Sequence, residues 1–100
     1  MEGTTIAVRV KFMGDLRALL RQADLTITLP QGSTVGDLFV SLRERYGEPF
    51  ACRVFSGPGT LHHYILAFLN GQNIKEVGGM DARLGEGQVE IVMLPMIEGG

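Results

Sequence analysis

At 100 residues, 45% of them apolar, the chain has the size of one domain and enough apolar side chains for a core. Eleven acidic against nine basic residues leave a formal charge of -2, which does not point to nucleic acid, whose binders need a basic face. The longest apolar stretch, around Ile65 to Leu69, is too short to cross a bilayer, and no membrane partner is expected.

Met1-Glu2-Gly3 opens without the basic and apolar segments of a secretory signal, and the single cysteine, Cys52, cannot close an internal disulfide. Both features suit a reducing, cytoplasmic setting. No repeat or low-complexity linker divides the chain, which reads as one domain over 1–100 with a flexible tail at 96–100.

In chain order, Ile6, Val8, Val10 and Phe12 are apolar at every second position, the period of a strand. Gly14-Asp15 breaks it, and Leu16, Leu19 and Leu20 fit one or two helical turns. Leu25, Ile27 and Leu29 alternate with Thr26 and Thr28 in a second strand, which Pro30-Gln31-Gly32 ends.

Thr34 and Asp37 have the spacing of a capping box, in which each side chain accepts the other residue's backbone N–H. Val35, Leu38, Phe39, Leu42 and Tyr46 then share one helical face, so Phe39 and Leu42 are core candidates. Gly47 is a natural helix stop and Pro49 forbids continuation, so Glu48 to Thr60 reads as a loop. Tyr64 to Leu69 is apolar without alternation, as in a strand that is central or covered on both faces. Asn70-Gly71 is a tight-turn pair; Gly78-Gly79 and Gly85-Glu86-Gly87 mark two further turns. Val89 to Leu94 is the last strand. The layout is α+β, one main helix packed on one mixed sheet.

Three segments together resemble the MoaD/ThiS family of ubiquitin-like sulfur carriers. They are Val8-Arg9-Val10-Lys11-Phe12 with Leu16-Arg17; Leu29-Pro30-Gln31-Gly32-Ser33-Thr34-Val35-Gly36-Asp37-Leu38; and Phe68-Leu69-Asn70-Gly71 with Asp81, Leu84, Gly87 and the closing Pro95-Met96-Ile97-Glu98-Gly99-Gly100. The resemblance implies a β-grasp fold with the first and last strands parallel at the sheet centre. Gly59-Thr60-Leu61-His62, Asn73-Ile74 and Gly78-Gly79-Met80-Asp81 look like carriers of the CysO type, which supply sulfur for cysteine. Molybdopterin-synthase small subunits and archaeal ubiquitin-like modifiers share parts of the pattern.

In that family the working group is the α-carboxylate of the final glycine, here Gly100. Such a carboxylate is ionised at neutral pH, with a reference pKa of about 3.3–3.7, and is a poor acyl donor until its oxygen becomes a leaving group. Adenylation followed by attack of a persulfide sulfur leads to a thiocarboxylate. Gly99 lacks a Cβ and lets the end thread a narrow channel. The chain has no Gly-x-x-x-x-Gly-Lys-Ser/Thr loop and no base–nucleophile set, so ATP and sulfur come from partners and no cofactor is bound. The resemblance names those partners: an adenylating enzyme related to ubiquitin activation, and a sulfur-accepting synthase subunit. The chain is then a protein co-substrate, not an enzyme. The alternatives are a protein modifier joined to lysines through Gly100, and a β-grasp interaction module whose Gly-Gly end is incidental.

Met96 and Ile97, beyond the last strand, are candidates for apolar partner contact, since methionine suits adaptable surfaces. Met13 is carried with them as a partner-binding candidate, although Met13 and Met93 also fit the core. His62-His63 lacks a second ligand pair at zinc-like spacing, and no metal is expected. Cys52, between apolar residues, reads as a small packing group, and Arg43, Glu44 and Arg45 as a solvated helix face.

Overall fold

Alternation along the first ten-residue element is realised as a strand, β1 (Thr5–Gly14), in which Ile6, Val8, Val10 and Phe12 are buried and Thr5, Ala7 and Arg9 are exposed. The structure is a computed structural model that describes residues 4–57, 59–85 and 87–93. After β1 come α1 (Asp15–Leu20) and β2 (Asp24–Pro30), which returns antiparallel to β1 with Val8 opposite Ile27.

The main helix, α2 (Val35–Tyr46), begins at the expected capping box. The Asp37 N–H donates to Thr34 Oγ1 at 3.2 Å, and the Thr34 N–H donates to Asp37 Oδ2 at 2.9 Å. Val35, Leu38, Phe39 and Leu42 are all buried. Tyr46 packs edge-on against Phe12, with ring centroids 5.9 Å apart, and its hydroxyl donates to Gln22 Oε1 at 2.8 Å. Gly47 ends the helix at φ 74°, its N–H donating to the Arg43 carbonyl at 2.7 Å.

The stretch read as a loop from Glu48 to Thr60 is instead a second helix, α3 (Glu48–Val54), followed by a small ribbon of β3 (Phe55–Gly57) and β4 (Thr60–Leu61). Pro49 does end α2, but its fixed φ and missing N–H also suit the first turn of a new helix, where no donor is needed. Phe50, Ala51 and Val54 are buried on one side of α3. The Phe50 ring lies 6.0 Å from Tyr46 and 6.2 Å from Phe55, centroid to centroid. Cys52 is exposed rather than a packing group, because it falls on the opposite side of this short helix.

The chain then forms β5 (Ile65–Leu69), β6 (Gln72–Asn73), two short 3-10 turns at Ile74–Glu76 and Gly79–Asp81, and β7 (Gly87–Met93). The described part of the last strand thus starts two residues before Val89, and Leu94 lies outside the described residues. The five-stranded sheet runs β2-β1-β7-β5-β6, with β1 and β7 side by side and parallel and the remaining pairs antiparallel. One face carries the core under the helices.

β5 lies inside the sheet, between β7 and β6, but is not covered on both faces. Ile65 and Ala67 are buried, but Leu66 and Phe68 lie half-buried on the sheet's other face. Asn70, at φ 50°, accepts from the Gln88 N–H at 3.0 Å and ties the β5–β6 turn to the start of β7. Gly14 adopts φ 68° where β1 ends, and a Cβ there would strike the Met93 carbonyl oxygen. Only glycine lets α1 start this close to the end of β7.

Candidate docking face and carrier tail

β7 delivers the backbone to Met93, in register with Gly14. Met96, Ile97, Gly99 and Gly100, the residues assigned to partner contact, tail threading and chemistry, lie outside the described residues. What the structure places is the sheet surface around Met93.

Side chains alternate across a strand, so the residues between the core positions of β1, β7 and β5 share the open sheet face. Register aligns Met13, Val92 and Leu66 into one row, and Lys11, Glu90 and Phe68 into the next. With strands spaced about 4.8 Å apart, each row is about 10 Å wide.

Met13 is 43% exposed, which removes it from the core and puts it at the head of the apolar row. Met93, at 6%, is core as expected. Apart from Phe68, the neighbouring positions of the face named here are polar. Arg9 approaches Asp24 at 3.6 Å, both side chains open to solvent, so this pair adds little to stability. Gln88 Nε2 donates to Glu90 Oε2 at 3.0 Å. An apolar row rimmed by charged and amide groups is the composition of a protein contact.

The sequence reading missed Leu66, Phe68 and Val92. The signal was present: the unbroken apolar run from Tyr64 to Leu69 must place side chains on both faces, and the second set has no helix over it.

His62 stacks on Tyr64 with centroids 4.9 Å apart and planes 9° apart, while His63 meets the same ring edge-on at 5.5 Å. The pair frames an aromatic side chain. Among the described residues no group of three or more His, Cys, Asp or Glu could hold a metal ion, and no helix is long and apolar enough to cross a membrane. Arg43, Glu44 and Arg45 are exposed, as expected of a solvated face.

A mixed sheet with parallel first and last strands, crossed by one main helix, defines a ubiquitin-like β-grasp protein. A family model, the ThiS family, matches residues 10–100, and the chain belongs to that family of ubiquitin-like sulfur carriers. Solved structures agree. Urm1 from Trypanosoma brucei is 25% identical with a TM-score of 0.76, covering 99% of this chain and 100% of that one. The small archaeal modifier protein 1 (SAMP1) from Methanosarcina acetivorans is 27% identical with a TM-score of 0.71, covering 98% and 100%. A chain of the Amycolatopsis orientalis BexX/CysO complex is 23% identical with a TM-score of 0.64, covering 93% and 99%. No curated protein sequence matches.

Proposed function

We infer that the chain carries sulfur on the α-carboxylate of Gly100, as a co-substrate in the biosynthesis of a sulfur-containing cofactor or metabolite in the cytoplasm. A separate adenylating enzyme, related to those that activate ubiquitin, joins the carboxylate to AMP and releases pyrophosphate. Attack by a persulfide sulfur expels AMP, and a second thiol cleaves the S–S bond to leave the thiocarboxylate. ATP and sulfur reach the tail through partner proteins, and a synthase subunit accepts the sulfur. The chain itself binds no cofactor in this reading.

One observation carries it: the last strand runs through the middle of the sheet and reaches Met93 beside an exposed apolar row. From Met93 to Gly100 there are seven residues, at most about 25 Å of chain. Gly100 therefore enters a partner's active site only if the body docks near its mouth, and Met13, Val92 and Leu66 are the apolar contact at that spot. In this reading Met96 and Ile97 add apolar contact with the partner, and Gly99 lets the end thread a narrow channel. The family match, which runs to Gly100, supports the carrier chemistry.

The intact mass of protein taken from its native cells tests the chemistry. Exchange of one oxygen for sulfur at Gly100 is the expected result; only unmodified glycine under conditions that demand sulfur would refute it. The likeness to SAMP1 favours a second reading, in which a lysine amine attacks the activated Gly100, and the same spectrum would then show the chain joined to other proteins.

Met13→Asp tests the docking face. Desolvating a carboxylate within an apolar contact should weaken affinity for the activating enzyme at least tenfold. The thermal midpoint should hold, because Met13 is 43% exposed. Unchanged affinity would remove the row from the interface.

A further inference from the structure

On the helical side of the molecule, α2, α3 and β3 enclose a groove of about 530 Å³. Gly36, Phe39, Val40 and Arg43, spaced i, i+3, i+4 and i+7, put one flank of α2 along it. Ala51 and Cys52 of α3 and Phe55 of β3 form the opposite wall. Met80 and Asp81 close the end nearest the start of α2. They are held there by the Val35 N–H donating to the Ala82 carbonyl at 2.9 Å, and by the missing side chain of Gly36, whose Cβ would lie 3.2 Å from the Met80 carbonyl oxygen.

Two features set the chemistry of this groove. Val40 is 55% exposed; among the described residues only Met13 is a comparably open large apolar side chain, and Met13 belongs to the docking face. The carboxylates Asp37, Glu48 and Asp81 line the groove against a single cation, Arg43. Asp37 is occupied by the capping box, whereas Glu48 and Asp81 have no ion-pair or hydrogen-bond partner for their side chains among the described residues.

The groove follows α2 from Thr34 to Arg43, about 13 Å at 1.5 Å per residue, the length of about four extended residues. A long open trough with an apolar floor and an excess of negative charge matches an extended cationic chain better than an anionic or compact ligand.

We propose that this groove binds an extended segment of a partner protein in which lysine or arginine adjoins a large apolar residue. The apolar side chain lies over Val40 and Phe55, and the cation faces Asp81. The groove is on the helical side and the Met13 row on the open sheet face, so a partner holding the body for tail chemistry leaves the groove free. The proposal is independent of what happens at Gly100.

Cys52 supplies the readout, since it is exposed, lines the groove and is the chain's only cysteine. A panel of six-residue peptides built from Lys, Arg, Leu, Phe, Ser and Glu is tested for binding to the full chain, and N-ethylmaleimide labelling of Cys52 is timed with and without each. Peptides that place Lys or Arg beside Leu or Phe should bind. At ten times their Kd they should slow labelling about tenfold. Val40→Lys should reduce their affinity at least tenfold and Asp81→Asn severalfold, both with unchanged thermal midpoints. Added salt should weaken binding.

Four results would overturn the proposal. The first is that no peptide protects Cys52, and the second that acidic or uncharged peptides bind as well as cationic ones. The third is that both variants bind normally. The last is a concentration-dependent dimer that itself shields Cys52, which would assign the groove to a second copy.

Discussion

Deleting Gly100 should abolish activation and leave the thermal midpoint where it was. Glycine has no side chain to bury, and the core among the described residues, from Ile6 to Met93, closes without it. Stability should therefore move by no more than the few tenths of a kcal/mol typical of a substitution away from any packed site. The acyl group, in contrast, would be drawn back by one extended residue, about 3.5 Å. In-line attack on the α-phosphate of ATP needs the carboxylate oxygen at near-contact distance, and a misplacement of about 1 Å already costs about a hundredfold in rate. ATP–pyrophosphate exchange with the cognate activating enzyme should fall to background, while thermal denaturation of the free protein overlays the full-length curve. Retained exchange would mean that the Gly100 carboxylate is not the acyl donor. A lowered midpoint would mean that the tail stabilises the fold.

The elements that were legible from the sequence are those whose signal is local and long enough to repeat. Ile6 to Phe12 supplies three full periods of a strand, and Thr34 with Asp37 caps a helix whose apolar face runs for three turns to Tyr46. α3 was not legible because a seven-residue helix completes fewer than two turns, and its Pro49 carries opposite meanings at the end of one helix and the start of the next. Cys52 was misplaced as a consequence, since its exposure depends on which side of that helix faces the core.

The proposed docking face was half legible. Met13 and the run from Tyr64 to Leu69 were visible, but periodicity cannot distinguish a face covered by the protein's own helices from one left open for another protein. The alignment of Met13 with Val92 and Leu66 exists only through the register of three strands distant in the chain. Gly99 and Gly100 are the opposite case. Their chemistry is read from residue type and family pattern, and no packing argument reaches them.

The largest loss of stability is expected at Phe39, and its neighbour Val40 provides the control. Both sit at the middle of α2, one residue and about 100° of helical rotation apart. Phe39 is 1% exposed and Val40 55%, so the helix packs one into the core beneath the groove and leaves the other open to solvent at its edge. Phe39 also meets Phe55 edge-on, with centroids 5.9 Å apart, and through it joins the cluster containing Phe50. Phe39→Ala removes the ring from this contact and leaves a cavity in the core that its neighbours cannot fully close. The expected cost is about 3–5 kcal/mol, a large share of the total for a domain whose stability is about 5–15 kcal/mol. Val40→Ala removes a side chain that is already more than half in water, and alanine is the better helix former, so the change should stay within about 0.5 kcal/mol. Urea denaturation of the two variants beside the parent chain measures the difference directly. Similar midpoints for both would mean that α2 does not present Phe39 inward, and the groove flanked by Val40 would lose its geometry with it.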